Sequence, residues 1–280
     1  MPSLPPSFLD RLLADDVPNG DLTTLALGIG GVSGVMEFRA RDDMVVAAIE
    51  IAADMIRRVG ADASISMPSG SKANAGTLLL TAKGSAAALH HSWKAAQTLM
   101  EILSGIATST RALVDAVEAV DANVRVACTR KTVPGARKLS MIAIRAGGAV
   151  PHRLGLSETI LVFAEHRIFM PGVSLKEMAV RLRREAPEKK LAIEVTTATE
   201  ARDAIEAGFD IIQLEKMTPD EVASVKHEAG AGVLLAAAGG VTPENAGDYV
   251  RAGAGLIVSS WPYTAKPADV AVTIKADATA

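Results

Sequence analysis

The sequence predicts an α/β protein: an N-terminal mixed α/β layer followed by a C-terminal parallel α/β barrel. Three observations support this. From Asn123 onward, short runs rich in Val, Ile and Leu alternate with amphipathic helical patterns, as buried parallel strands with covering helices do. Before Asn123 the texture differs, and one long helical pattern, Ala86 to Ala107, leads into the repeat. Aromatic residues make up only 3% of a chain that is 49% hydrophobic, so the core is aliphatic, as packed α/β layers are.

Taken in order, Gly34 to Arg41 alternates like a strand, Val46 to Arg58 has helical spacing, and Thr77 to Gly84 is a second strand. The repeat then supplies strands at Val124 to Cys128, Thr159 to Phe163, Leu191 to Thr196, Ile211 to Leu214, Val233 to Ala237 and Leu256 to Val258. Helices are expected at Glu177 to Glu185, Glu200 to Glu206 and Pro219 to Glu228. Thr218-Pro219 and Thr242-Pro243 read as helix entries, with a capping Thr, Pro at the first helical position and an acid after it. Two domains follow, 1–107 and 108–264, with the tail 265–280 expected to return to the first.

Composition excludes several classes of function. A chain of 280 residues can bury a full core. Scarce aromatics and a net charge of -3 argue against nucleic-acid binding. The single Cys128 excludes an intrachain disulfide and a Cys-built metal site. Met1 to Leu13 has no continuous apolar run of the secretory type, and Ala229 to Val241 is too short and Gly-rich to span a bilayer. A cytoplasmic protein without a membrane partner is expected.

Against this acidic background, Ala122 to Ser157 carries seven Lys and Arg residues and one His, with no Asp or Glu. Such a block implies a local anionic partner. Its clusters include Arg130-Lys131 and His152-Arg153, and Thr129 opens the first. At the C-terminal ends of the predicted strands stand Arg130-Lys131, Glu194, Glu215-Lys216, Gly239-Gly240 and Ser259-Ser260. Barrel chemistry gathers at that face. Cations hold phosphate or carboxylate, paired carboxylates hold magnesium, and Gly turns lend backbone N–H groups to phosphate. A phosphorylated, magnesium-bound substrate is therefore expected. Arg137-Lys138, His90, His91 and His227 read instead as solvent-facing helix residues.

At TRKTVPGARKL (Thr129–Leu139) and RAGGAVPHRLGLSETILVF (Arg145–Phe163) the chain resembles the quinolinate phosphoribosyltransferase family, the nicotinate-nucleotide pyrophosphorylases (NadC) of NAD biosynthesis. The likeness extends to Asp15-Asp16, to Gly20-Asp21-Leu22-Thr23-Thr24, to LSGIATST (Leu103–Thr110) and to the strands ending in Glu194 and Glu215. It implies an N-terminal α/β sandwich, a C-terminal α/β barrel, and a homodimer whose partner completes each active site. It also implies phosphoribosyl pyrophosphate and Mg2+ as substrate and cofactor. Carried over by register, Arg130, His152 and Arg153 bind the acceptor, beside Thr129, and Lys131 lies by the phosphoribosyl pyrophosphate. Glu194 and Glu215 handle magnesium and ribose, and Ala238, Gly239, Gly240, Ser259 and Ser260 hold the ribose phosphate.

Several positions depart from the family pattern. Its Glu-Arg pair before LSGIAT is Trp93-Lys94 here, and the Asn of its Asn-His-Arg is Pro151. A strand that ends elsewhere in a Lys ends in Phe163, followed by Ala164-Glu165-His166. The Asp of Leu-Asp-Asn is Glu215, followed by Lys216, and the Ser of Ser-Gly-Gly is Ala238. The acceptor site has thus exchanged a cation for a phenyl ring at Phe163 and a guanidinium for an ammonium at Lys94. This pattern, PHRLGLSETILVF above all, resembles the ModD branch, associated with molybdate transport genes. It implies phosphoribosyl transfer to a heterocyclic acceptor less acidic than quinolinate. A genuine quinolinate transferase with compensating cations and a non-catalytic sugar-phosphate sensor are the alternative readings.

Overall fold

The computed structural model describes residues 4–230 and 232–277. Residues 1–3 and 278–280, the outer limits of the expected domains, and Ala231, inside the apolar stretch after Ala229, lie outside the described residues. Along the chain, α1 (Pro6–Asp16) and α2 (Leu22–Ala26) precede β1 (Ser33–Ala40), β2 (Met44–Val45), α3 (Ile49–Arg58), β3 (Asp62–Ile65), β4 (Lys72–Ala73), β5 (Leu78–Ser85) and α4 (Ala86–Glu118). There follow β6 (Arg125–Cys128), α5 (Arg137–Ala146), β7 (Val150–Pro151), β8 (Ile160–Val162), α6 (Ala164–Arg167) and α7 (Leu175–Glu185). The chain closes with β9 (Leu191–Val195), α8 (Ala198–Glu206), β10 (Ile211–Glu215), α9 (Pro219–Glu228), β11 (Leu234–Ala238), α10 (Pro243–Arg251), β12 (Leu256–Ser259) and β13 (Val270–Ala276).

Two compact units emerge. The first groups the described residues up to Thr110 with Pro134–Gly148 and with those from Thr264 onward. Its antiparallel sheet has the order β13-β1-β5-β3. In β1 the residues Met36, Phe38 and Ala40 are buried and their neighbours are partly exposed, the period-two pattern of a sheet with one packed face. Ile49 and Ile56 of α3, with Leu79, Leu80, Leu89 and Met100, complete that core. Each large side chain there contributes about 1.5–3 kcal/mol through burial.

α4 runs past the expected end at Ala107. Gly105 does not break it, because its bare Cα is where the returning backbone at Lys266 and Pro267 crosses the helix, and a Cβ would strike the Lys266 carbonyl oxygen. Beside it, Ser104 Oγ accepts the Ala47 N–H at 3.0 Å, and about one turn on Thr108 Oγ1 accepts the Val45 N–H at 2.8 Å. LSGIATST is therefore a packing surface of the first unit. His90, expected at the surface, is instead partly buried and hydrogen-bonded through Nδ1 to Thr24 Oγ1 at 2.7 Å, with Asp21 Oδ2 accepting from that hydroxyl and lying 3.8 Å from Nδ1.

The second unit, Arg111–Val133 with Ala149–Tyr263, is a parallel half-barrel. Its seven strands run β7-β6-β12-β11-β10-β9-β8, and among the described residues the outer strands β7 and β8 are not paired with each other. Pro151 suits an edge, since it has no N–H to offer a further strand. The central strands are almost wholly buried, which is why they appear in sequence as unbroken apolar runs. Ser174, Thr197 and Thr218 accept the backbone N–H of Glu177, Glu200 and Glu221 at 3.2–3.3 Å. These caps start α7, α8 and α9, the last two right after a strand-end turn. The strand ends are thereby left facing outward as short loops.

Candidate active site

The site is built on consecutive strand ends of the half-barrel. Beyond β6, the Thr129 N–H donates to Ser259 O at 3.0 Å and the Tyr263 hydroxyl donates to Thr129 O at 3.0 Å. The chain is pinned there before Arg130 and Lys131 leave the sheet. Beyond β7, the His152 N–H donates to Cys128 O at 2.8 Å, which sets His152 and Arg153 beside the end of β6. Cys128 itself is buried, and burial pushes its thiol up to about 12, so it is a neutral packing group and not a nucleophile.

Burial, and then the positive charge of Arg153, lowers the His152 imidazole to about 4. It is therefore neutral at physiological pH and offers one donor and one acceptor. Arg153 is held below the usual guanidinium range by burial first and by Arg130 second, while Glu194 opposes both. Its guanidinium lies over the Phe163 ring, Cζ 5.2 Å from the centroid. Phe163, at the end of β8, also stacks on His166 at 5.8 Å, and His166 Nδ1 accepts the Phe163 N–H at 2.9 Å.

Glu194 and Gln213 are register partners across β9 and β10, and Gln213 Nε2 donates to Glu194 Oε2 at 2.5 Å. Glu215 lies two residues beyond Gln213, on the same side of the strand. The Glu194 carboxyl is raised by burial and then by the neighbouring charge of Glu215; Gln213 opposes the shift, Glu165 adds to it and Lys131 opposes it. Arg153 thus adjoins Phe163, Arg130 and Glu194, and Glu194 in turn adjoins Glu215 and Lys131.

The small-residue loops adjoin this group. Gly239 has a φ of +85°, and a Cβ there would meet Lys216 Cγ at 2.6 Å and Glu215 Oε1 at 2.8 Å. Glycine is what lets the β11 turn lie against the β10 carboxylate. Ala238 is buried beneath it, and Gly240 is exposed, its carbonyl accepting from Asn245 Nδ2 at 3.1 Å. Ser259 Oγ donates to Val241 O at 2.7 Å and accepts the Trp261 N–H at 3.0 Å. Its hydroxyl is thus already engaged within the chain. Lys94 belongs to the other unit, on α4, with Nζ 4.6 Å from the Trp93 ring centroid and 3.1 Å from Gln97 Oε1. Gln213 and Glu165 are the members that the sequence reading missed. Gln213 had a visible signal, being the polar residue inside the apolar run Ile211 to Leu214.

Among the described residues no three His, Cys, Asp or Glu side chains gather as a metal cage. Two adjacent carboxylates still suit magnesium, a hard cation usually held by one or two carboxylates together with substrate phosphates. The like-charge strain at Glu194 is what such a cation would relieve.

The model of the quinolinate phosphoribosyl transferase N-terminal domain matches residues 21–104, and that of the C-terminal domain matches residues 106–273. The chain belongs to the quinolinate phosphoribosyltransferase family. It is 46% identical over 247 residues to the ModD protein of Rhodobacter capsulatus, covering 88% of this chain and 95% of that one. It is 37% identical to ModD of Pasteurella multocida, covering 95% and 96%. NadC from Streptococcus pyogenes superposes with a TM-score of 0.90 at 24% identity, covering 99% of each chain, which shows the shared fold. The chain is accordingly a ModD-type enzyme of this phosphoribosyltransferase family. Among its described residues no helix is long and apolar enough to cross a membrane.

The His152 environment predicts a pH effect on stability. A histidine with a native value of about 4 and an unfolded value near 6.5 leaves the unfolded chain binding more protons between those limits. Stability should therefore fall as pH drops from about 6.5 to about 4, by up to about 3 kcal/mol. Urea unfolding at pH 7 and pH 4.5 measures the fall, and His152→Asn should flatten it.

Proposed function

We propose that this enzyme transfers ribose 5-phosphate from phosphoribosyl pyrophosphate to a ring nitrogen of a heteroaromatic acceptor less acidic than quinolinate. The bond from C1 of the ribose to the pyrophosphate oxygen breaks, the bond from C1 to the ring nitrogen forms, and pyrophosphate leaves. The observation that carries this reading is the packing of Arg153 on Phe163, beside an intact pair of carboxylates. The family's acceptor-site cation is missing at that strand end. A dicarboxylate with one carboxylate left unpaired there would lose about 2–5 kcal/mol.

In this reading Arg130, Arg153 and the neutral His152 orient the acceptor. Lys131, coupled to Glu194, offsets charge on the departing pyrophosphate. The two carboxylates face the positive charge that develops at C1. Magnesium, held through Glu194 and Glu215, would supply charge neutralisation for the pyrophosphate. Gly239, Gly240 and the backbone at Ser259 and Ser260 receive the ribose phosphate. A cytoplasmic homodimer with shared sites, and a role beside molybdate transport genes, belong to the same proposal by family resemblance.

Pyrophosphate release from phosphoribosyl pyrophosphate and magnesium, measured with quinolinate and with a panel of other nitrogen heterocycles, tests it. Release with another heterocycle and little with quinolinate is expected. Fast release with quinolinate would return the chain to NAD synthesis, and tight binding without release for any acceptor would make it a sensor.

A further inference from the structure

We infer that Gln213 is a positioning residue for the proposed transfer, a buried amide that fixes the Glu194 carboxylate in its working orientation. The inference rests on the functional reading above but is argued from different observations. β10 reads Ile-Ile-Gln-Leu-Glu, and a polar side chain in the middle of a parallel strand covered on both faces is costly unless it is paired. Gln213 is only 6% exposed. Its Nε2 has found a partner in Glu194 Oε2, while its Oε1 is buried and has none among the described residues. For the fold alone this is a poor arrangement, since a Met or Leu would fill the place without an unmet acceptor. An unsatisfied buried polar atom in a native chain calls for a reason, and a catalytic role is one.

The register supplies the reason. Gln213 stands directly across from Glu194 on one side and from Ala236 on the other. Ala236 is small and fully buried, so of the two cross-strand partners only the β9 carboxylate offers the amide a polar group. Only the N–H end can face a carboxylate oxygen at that distance, which fixes the amide orientation. With one oxygen tied to Gln213, the other Glu194 oxygen is free to be presented at the strand ends, next to Lys131 and Glu215. A carboxylate beside a second carboxylate would otherwise swing away from it. Gln213 holds it in place without adding charge.

The test is the Gln213→Met variant, which keeps the volume and removes the amide. Its melting temperature should equal or exceed that of the wild type, while kcat/KM for pyrophosphate release falls about 10- to 100-fold, the usual cost of losing a group that orients a metal-binding side chain. In a double-mutant cycle with Glu194→Gln the second substitution should cost nothing further, because both act through one carboxylate. A fall in melting temperature with kcat/KM unchanged would show a merely structural residue, and additive losses would show that Gln213 does not act through Glu194. A crystal structure of Gln213→Met gives a readout independent of any reaction. A displaced or multiply oriented Glu194 side chain supports the inference, and an unchanged one overturns it. If the wild type releases no pyrophosphate with any acceptor, the transfer reading fails and that structure still decides whether Gln213 fixes the carboxylate.

Discussion

Glu194→Gln and Glu215→Gln should each lower kcat/KM for magnesium-dependent pyrophosphate release by about 100-fold, an electrostatic loss of the size seen when a preorganised charge-stabilising group is removed. Lys138→Ala, at the exposed start of α5, should leave it unchanged. The substitutions keep the shape of each side chain and remove the charge that, in the proposed transfer, would face magnesium and C1. Stability should move the other way at Glu194. Its carboxyl is raised by burial and by Glu215, so the stability that its neutral form would give is lost as pH rises through the native value. Once ionised in the native chain, the group opposes folding. Gln, neutral at every pH, removes that opposition, and thermal melts should show an equal or higher midpoint for Glu194→Gln. Similar losses of activity in all three variants would dissolve the assignment, as would a collapse in stability that accounts for the lost rate.

Much of the half-barrel was legible because its strands are buried on both faces. Val, Ile and Leu then run without interruption, as in Leu191–Val195 and Ile211–Glu215, and Thr-Pro entries mark the helices that follow. Placing the ends of those strands in sequence already juxtaposes Arg130, Lys131, Glu194 and Glu215, since a parallel sheet directs every C-terminal end to one side. The first unit was less legible. β13 alternates as a strand should, but nothing local states that Val270–Ala276 pairs with β1. Likewise, α1 shows only two buried residues, Leu9 and Leu13, too thin a stripe to announce a helix. The segment Pro134–Gly148 reads as part of the repeat, yet it groups with the first unit. Pairings between distant segments depend on chain packing, and local periodicity carries no record of them. Gln213 stands out in its apolar run, but its pairing with Glu194, nineteen residues away on the neighbouring strand, does not.

Phe163 shows what residue identity alone leaves open. The sequence sets a ring where the likeness to the quinolinate transferases leads one to expect a cation, and the three-dimensional arrangement adds that this ring supports Arg153. Phe163→Lys should therefore do two things. Without ligand it replaces a cation–π contact, worth about 0.5–2 kcal/mol, with a third positive charge near Arg130 and Arg153, so the free protein should melt at a lower temperature. With quinolinate present, the new ammonium faces the carboxylate that the wild type leaves unpaired, and part of the 2–5 kcal/mol attached to such a contact, about 10- to 100-fold in Kd, should be recovered. Arg153, released from the ring, would be free to turn toward the same ligand. Calorimetric titration of quinolinate into both proteins, alongside melts with and without ligand, measures the two effects. A gain in affinity together with a loss of free-state stability identifies Phe163 as the residue that sets acceptor charge. Unchanged affinity would mean that the ring does not occupy the lost cation's place, and acceptor choice would then have to be sought at Lys94 or in groups contributed by a second copy of the chain.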